Sequence, residues 1–480
     1  MKRELAALTD RHHDLVIIGG GIHGAAAAWD GAQRGLAVAL VEAADFGGST
    51  SWNSLKTVHG GLRHLQRADV AGLRESARER TALLRIAPEL VRPLPFLVPT
   101  YAREGPSRAA LAAALRLGDL LTPGRNRGLS EGHRIRGGRL LSVRQVLDRL
   151  PFLDPAGLTG GAEWTDAQVA STERLLLAFL HAAAGAGATL ANYVEATRLD
   201  REDGRITGIT ARDVVGGGTV TVRGRIVINA AGPALDSVLA LAGLNRAHVS
   251  LLHAANLVLD RDAVATHAVG GRTGGRFLFL VPWRGRSIVG TAYATGSAPP
   301  SAAEFLDEAR RAFPWAGLQR SDVTLVHRGR VPGTGGAAGL RARSRVVDHE
   351  REDGLSGLLS ILSVKYTTAR ALAERAVDRA VRRLGRRVGP CRTARTPLPQ
   401  AGLLPGTLEE QARRAVRDEA AVRLEDAVLR RLDLATAGRP PATAVDEVAA
   451  VMAGELGWDP GRLRLEHERL EAALRAVEAR

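Results

Sequence analysis

Two short unbroken apolar runs open the patterned part of the chain: residues 14–18 (Asp-Leu-Val-Ile-Ile) and residues 37–42 (Ala-Val-Ala-Leu-Val-Glu). Runs of this length, bounded by turn residues, read as strands buried on both faces. Between them the alanine-rich segment 22–34 reads as a helix. Strand, helix and strand make a βαβ unit of about 30 residues, whose parallel strands need a right-handed crossover.

Further along, 69–87 has helical character and stops before Pro88, while 92–101 is apolar but broken by prolines and so extended. Helices are expected near 107–121, 142–149 and 172–186. Short strands follow to residue 230, with a turn at Gly216-Gly217-Gly218. Residues 246–335 read mainly as strands with one helix near 301–313, and 355–385 as strand, loop and helix. The composition changes after about residue 392. From Leu408 to Arg431, Ala412, Ala415, Val416, Ala420, Val422, Leu424, Val428 and Leu429 recur at helical spacing. A Gly-Arg-Pro-Pro break at 438–441 precedes two more helices near 443–456 and 459–478. No internal repeat is visible.

At 480 residues, with 45% hydrophobic and 24% charged positions, the chain has room for two or three globular domains. Cys391 is the only cysteine, which excludes an internal disulfide framework and a thiolate cluster and fits a reducing compartment. The net charge of +15 raises nucleic acid as a partner, but 63 of the 66 basic residues are arginines interleaved with acids. The reading is a solvated basic surface, with an anionic phosphate or lipid headgroup as the second reading. No apolar stretch approaches the roughly 20 residues that cross a bilayer, and Met1 to Asp14 lacks the apolar core of a secretory signal. The expected location is the cytoplasm, with peripheral attachment to the inner face of the membrane as the further expectation.

The first chemical motif is Gly19-x-Gly21-x-x-Gly24, between the first strand and the helix. Gly19 permits the tight turn, Gly21 lets backbone approach a pyrophosphate, and Gly24 lets helix and strand pack closely. Glu42 closes the next strand, placed to bond ribose hydroxyls. This predicts a dinucleotide site and leaves FAD and NAD open. A strand at 225–230 ending in Asn229-Ala230-Ala231-Gly232-Pro233 is a second, weaker cofactor signal. The lysines add a third. In a chain that uses arginine almost everywhere, Lys56 and Lys365 are the only lysines besides Lys2. Both are expected where only a compact ammonium fits.

Residues 49–65 contain Ser54, Lys56, His59, Gly60, Gly61, Leu62, Arg63 and Leu65. This segment resembles that of the FAD-dependent (respiratory) glycerol-3-phosphate dehydrogenases, with His64 where that family usually has tyrosine. Lys365-Tyr-Thr367-Thr368, the segment 277–291 and Glu455-Leu-Gly-Trp-Asp459 extend the resemblance over nearly the whole chain. It implies an α/β fold: a Rossmann-type FAD-binding domain (11–95, 160–245 and 336–390), an antiparallel-sheet substrate domain (96–159 and 246–335) and a C-terminal helical domain (395–480). It implies FAD held by Gly19, Gly21, Gly24, Glu42, Thr50, Ser51, Ser54, Lys56, His59, Gly60, Gly61, Gly232, Lys365, Thr367 and Thr368. Lys365 and the helix start after it would face the flavin pyrimidine edge, and Thr367 and Thr368 suit N-capping.

The implied reaction is oxidation of glycerol 3-phosphate to dihydroxyacetone phosphate by hydride transfer to flavin. Quinone at an anionic membrane surface, or another acceptor, is implied to take the electrons, and no metal is expected. Arg63 and Arg330, with Arg345 as a further candidate, would bind the phosphate. His64, His59 or a lysine would serve as base, so His64, Lys365 and Arg330 are the catalytic candidates. No nucleic-acid partner is expected, and the oligomeric state stays open, a dimer included. The chain departs from the family at Ser363-Val364 (usually a glycine pair), Asn256 (usually histidine), Thr291-Ala292-Tyr293, and Gly329-Arg330-Val331-Pro332, where the arginine is shifted by one residue. Such a shift along a strand reverses the side-chain face, so Arg330 needs a bulge or loop to re-aim it. Two alternatives remain: an enzyme of the same fold acting on another hydroxy acid or an amine, and an inactive FAD-binding subunit.

Overall fold

The computed structural model describes the chain apart from residues 103–106, 275, 297, 334–342, 364, 400–401, 403–404, 437 and 479–480. Two compact units emerge. The first comprises Met1–Trp52, Ser171–Leu252 and Gly329–Ala476, and the second Asn53–Ala170, His253–Arg328 and Val477–Arg480.

In the first unit, the run His13–Ile18 is buried at every position, as a central parallel strand requires. It pairs in parallel with Val38–Val41 on one side and Thr219–Asn229 on the other, Ile17 lying between Leu40 and Ile228. The sheet continues outward to Leu358–Leu362 and antiparallel Arg345–Asp348 at one edge, and to Thr189–Ala191 at the other. The helix Ile22–Gln33 connects the first two strands and packs on the helices Thr172–Gly185 and Ala369–Leu384. The glycine turn therefore lies at the carboxyl end of the central strand, where open α/β sheets bind their ligands.

The C-terminal segment belongs to this unit. Its helices Leu408–Glu419, Ala442–Leu456 and Pro460–Val477 share a core that includes Ala412, Val428, Met452 and Leu470. The helical spacing from Leu408 to Arg431 does not form one helix. The first helix stops at Ala420, which adopts φ 54°, and a π-helical turn runs from Asp426 to Arg431. Asp426 Oδ2 explains the break, because it accepts the N–H groups of Val422 and Arg423, both at 2.9 Å.

The second unit is built on a nine-stranded sheet. Its strand Val91–Tyr101 contains Pro93, Pro95 and Pro99, all of one parity, so their missing N–H groups fall on one edge. That strand pairs along its whole length with Leu158–Val169 on one side. On the other side only Phe96 and Leu97 pair, with Ala268 and Val269. The strand Leu158–Val169, Gly- and polar-rich in its middle, has no counterpart in the hydrophobic pattern.

Candidate active site

In the first unit the glycine turn is closed by backbone rather than by side chains. A Cβ on Gly24 would lie 1.9 Å from the Gly19 carbonyl oxygen, and one on Gly19 2.7 Å from that of Ala230. Gly19 also adopts φ +110°, a region that glycine alone occupies at no cost. A Cβ on Gly21 would meet only Ser51 Oγ, at 3.1 Å, and the same hydroxyl accepts the Ile22 N–H at 3.1 Å. Ser51 therefore sits at the helix start beside Gly21. The Nε2 of His23, in the first turn of this helix, is buried with no protein partner, and burial lowers its pKa to about 4. A neutral ring and a bare backbone turn at a helix N-terminus suit a pyrophosphate, so these residues fit the dinucleotide expected of them.

Glu42 lies at the end of the second strand. Its carboxylate accepts the Gly20 N–H at 2.6 Å and the Ala44 N–H at 3.0 Å, while burial pushes its pKa up. Asn229 shapes the facing turn, accepting the Ala231 N–H at 3.1 Å and donating to the Leu235 carbonyl at 2.9 Å. Gly232 in that turn has φ +57° with open space where a Cβ would stand. Thr50 Oγ1 donates to the Arg330 carbonyl at 3.1 Å, and the Arg330 side chain is exposed. Arg345 pairs with Glu352 at 2.8 Å on the edge strand. Lys365 is exposed ahead of the helix Ala369–Leu384, Thr367 and Thr368 are buried there, and Val364 lies outside the described residues. The expected side-chain N-cap does not form at Thr368. Thr368 occupies the cap position but makes no side-chain cap bond, because its ψ of 14° departs from the extended conformation a capping side chain needs.

In the second unit, Ser54, Lys56, His59, Gly60, Gly61, Arg63 and His64 follow one another along an irregular segment. Lys56 is fully buried at φ 60°, with Nζ 5.4 Å from the ring centre of Trp283. Its backbone accepts Val169 N–H at 2.7 Å and donates to Ser54 Oγ at 3.2 Å. Left-handed backbone at a lysine costs about 1–3 kcal/mol and persists only where surrounding contacts fix it. Asp166 organises the next residues. It lies 3.1 Å from His59 Nδ1 and accepts Gly60 N–H at 2.7 Å and Arg80 Nη1 at 2.6 Å. Burial alone would raise its pKa, but the His59 hydrogen bond and the Arg80 charge bring it down to about 2. A Cβ on Gly60 would collide with Arg80 Nη1 at 2.1 Å.

Gly61, at φ 89°, starts the short 3₁₀ helix Leu62–Arg67 that carries Arg63 and His64. His64 Nδ1 lies 2.8 Å from Asp69 Oδ2. A carboxylate only accepts, so Nδ1 carries the proton and Nε2 is the basic nitrogen. Asp69, Asp166 and Arg80 are absent from the expected site residues. Asp69 could have been found as a capping residue just ahead of the helix Val70–Ile86.

Two family departures meet in this unit as well. Thr291 Oγ1 donates to Asn256 Oδ1 at 2.7 Å, and Arg276 Nη1 donates to the Thr291 carbonyl at 3.0 Å. Burial raises the Tyr293 pKa, opposed by its hydrogen bond with Thr291 and by the charges of Arg63 and Arg276. Tyr293, Arg276 and Arg63 thus share one polar neighbourhood. Nothing in the spacing of these residues, more than 200 positions apart at the extremes, signals it.

Residues 14–316 match the family described as FAD dependent oxidoreductase, and residues 391–463 match the C-terminal domain of alpha-glycerophosphate oxidase. A glycerol-3-phosphate dehydrogenase of Synechocystis sp. is 33% identical over 432 residues, covering 85% of this chain and 77% of that protein. One from Mycobacterium leprae is 31% identical over 509 residues, covering 93% and 85%. The solved glycerol-3-phosphate dehydrogenase from Bacillus halodurans, complexed with FAD, superposes with a TM-score of 0.75 at 23% identity, over 98% of this chain and 96% of that one, a likeness of fold.

Proposed function

Because the chain belongs to the FAD-dependent glycerol-3-phosphate dehydrogenases, within the wider FAD-dependent oxidoreductases, we propose that it oxidises sn-glycerol 3-phosphate to dihydroxyacetone phosphate. Bound FAD supplies a hydride acceptor. The chain supplies the rest. The turn Gly19–Gly24 and the following helix start hold a pyrophosphate, and Glu42 holds an adenosine ribose. Thr50, Ser51, Ser54, Lys56, His59, Gly60, Gly61, Gly232, Lys365, Thr367 and Thr368 complete the proposed cofactor set.

One observation carries the reading: Arg63 and His64 stand side by side on one short helix, with Asp69 2.8 Å behind the imidazole. Arg63 offers a guanidinium fork to the phosphate. His64 Nε2 takes the hydroxyl proton as the hydride leaves carbon, and Asp69 steadies the imidazolium that results. Arg330 is a second phosphate candidate, and Arg345 a third that must first leave Glu352. Lys365 is the candidate ammonium beside the flavin.

The test is anaerobic addition of glycerol 3-phosphate to the purified yellow protein. Loss of the oxidised flavin's visible absorption supports the proposal. Bleaching by an amine or a different hydroxy acid alone replaces it with the second reading, which Asn256 favours by standing, buried and bound to Thr291, where the family usually has histidine. Bound flavin that none of these bleaches points to an inactive subunit. Arg63→Ala should raise KM for glycerol 3-phosphate while leaving glycerol, the unphosphorylated analogue, equally poor.

Electrons are proposed to pass to quinone at a membrane face. Among the described residues no helix is long and apolar enough to cross a membrane. The apolar stripe of the C-terminal helices is largely taken up by their own core. The support for peripheral contact comes instead from the helix Arg108–Leu121, which exposes Leu117 and Leu120 beside Arg116.

A further inference from the structure

His248, His349 and Asp353 lie together in the first unit, and none of the three has a role in the proposed reaction, although Glu352, next to Asp353, pairs with Arg345. Their ligand-capable atoms all fall within 4.8 Å of one another. His349 and Asp353 are the two ends of a single helical turn, i and i+4, so they face the same side. His248 comes from the loop after the helix Leu235–Ala240, and its ring meets that of His349 edge to face at 5.5 Å.

The side chain of His248 is 2% exposed, yet neither ring nitrogen has a hydrogen bond. Nε2 faces Asp353 Oδ2 at 3.7 Å and Nδ1 faces Asp236 Oδ1 at 3.5 Å. Leaving a buried polar group unsatisfied costs about 1–3 kcal/mol, so an imidazole in this state indicates something that it would hold. The surroundings have the arrangement of a metal site's outer layer. His349 Nε2 lies 2.7 Å from Ser360 Oγ, Asp353 Oδ1 lies 2.7 Å from Arg246 Nη2, and Asp236 stands behind His248. Asp236 is itself fixed by the backbone N–H groups of His248 at 3.1 Å and Val249 at 3.3 Å. Ligating histidines typically use their second nitrogen in this way, toward a carboxylate or hydroxyl.

We propose that His248 Nε2, His349 Nδ1 and Asp353 Oδ2 bind a divalent transition-metal ion of the zinc class, with water as the fourth ligand. Two imidazoles and one carboxylate suit zinc, whose bonds of about 2.0–2.2 Å place tetrahedral ligand atoms roughly 3.3 Å apart. The His349–Asp353 separation of 2.6 Å must widen and the His248–Asp353 separation of 3.7 Å must close, which small side-chain rotations accomplish. The proton now on His349 Nδ1 moves to Nε2, where Ser360 Oγ accepts it. Such an ion would tie the loop that precedes the strand Leu251–Leu259 to the hairpin of Arg345–Asp348 and Leu358–Leu362. It is a structural staple, independent of the substrate reading.

The experiment uses the flavin-loaded full-length protein, stripped with a chelator and titrated with Zn²⁺ alone. One equivalent should bind, and thermal unfolding should shift upward with it. His248→Ala and Asp353→Asn should each weaken binding by about 10- to 100-fold or more with flavin content unchanged. Wild type that binds no stoichiometric zinc, or a His248→Ala variant that binds it equally well, overturns the proposal. Should the variants fail to fold, Co²⁺ added to wild type decides: a tetrahedral visible spectrum supports the site, and its absence removes it.

Discussion

Asp69 does two tasks with one carboxylate: Oδ2 lies 2.8 Å from His64 Nδ1, while Oδ1 accepts the Gly72 N–H at 3.1 Å and caps the helix Val70–Ile86. Asparagine caps helices about as well as aspartate but carries no charge. Asp69→Asn should therefore keep the thermal stability, lower kcat by roughly tenfold or more, and move the acidic limb of the pH–rate profile, where a base loses activity by taking up a proton. His64→Asn should cost roughly 10²- to 10⁴-fold in kcat with little change in KM. Equal loss of stability and rate in Asp69→Asn would reduce the pair to a helix cap.

Gly24 and Gly21 should separate folding from cofactor retention. Gly24→Ala meets backbone at 1.9 Å, and backbone cannot step aside, so this variant should fold poorly and hold no flavin. Gly21→Ala meets only a serine hydroxyl at 3.1 Å. It should unfold at the wild-type temperature when flavin-free, yet show a lowered ratio of flavin to protein absorbance.

Arg431 grips Asp45 through two nitrogens, at 2.5 and 2.7 Å, and Arg430 adds a third contact. All three residues are buried. Burial opposes the charged form of Asp45, but the two guanidiniums hold its pKa well below the ordinary carboxylate range. Arg431→Leu should destabilise the first unit by about 3–5 kcal/mol, since a buried charge loses its main partner. Pairing it with Asp45→Asn should recover part of that loss in a double-mutant cycle followed by urea unfolding.

Two carboxylates predict acid sensitivity. Asp166 and Glu419 are each brought to about 2: burial alone would raise both, but His59 and Arg80 act on the first, and His181 and Arg174 on the second. Both values are depressed on folding, so the stability they confer is complete above the ordinary carboxylate range near 4 and fades as the pH falls toward 2. Urea midpoints should hold from pH 7 to about 5 and drop steeply below 4. Asp166→Asn should start lower and fall less steeply.

Membrane contact can be tested through Leu117 and Leu120, 45% and 75% exposed. The wild type should pellet with anionic vesicles at low salt and less at high salt. The double variant Leu117→Asp, Leu120→Asp should stay in the supernatant with unchanged flavin content.

Much of the first unit was legible because its signals are local. The apolar strands at 14–18 and 37–42, the glycine turn and the connecting helix each follow from neighbouring residues, and the strand and helix ends agree within a residue or so. The strand Leu158–Val169 was hidden, since Gly160, Gly161, Glu163 and Asp166 break any apolar alternation and its partner strand supplies the pairing. The break at Ala420 was hidden for a similar reason: its cause is a side chain six residues ahead, not a proline or glycine. In the candidate site, the glycines and the two lysines could be found by type. Asp45, Tyr293, Arg276 and the cluster at His248 could not, because each matters only through partners brought near by the fold.

The contact between Asp45 and Arg431 spans 386 positions of sequence. The glycine turn and its strand are synthesised early, but the carboxylate three residues beyond Glu42 stays without its guanidinium partners until Arg430 and Arg431 have been added. A chain cut short before Arg430 would bury the Asp45 carboxylate without either of its guanidinium partners.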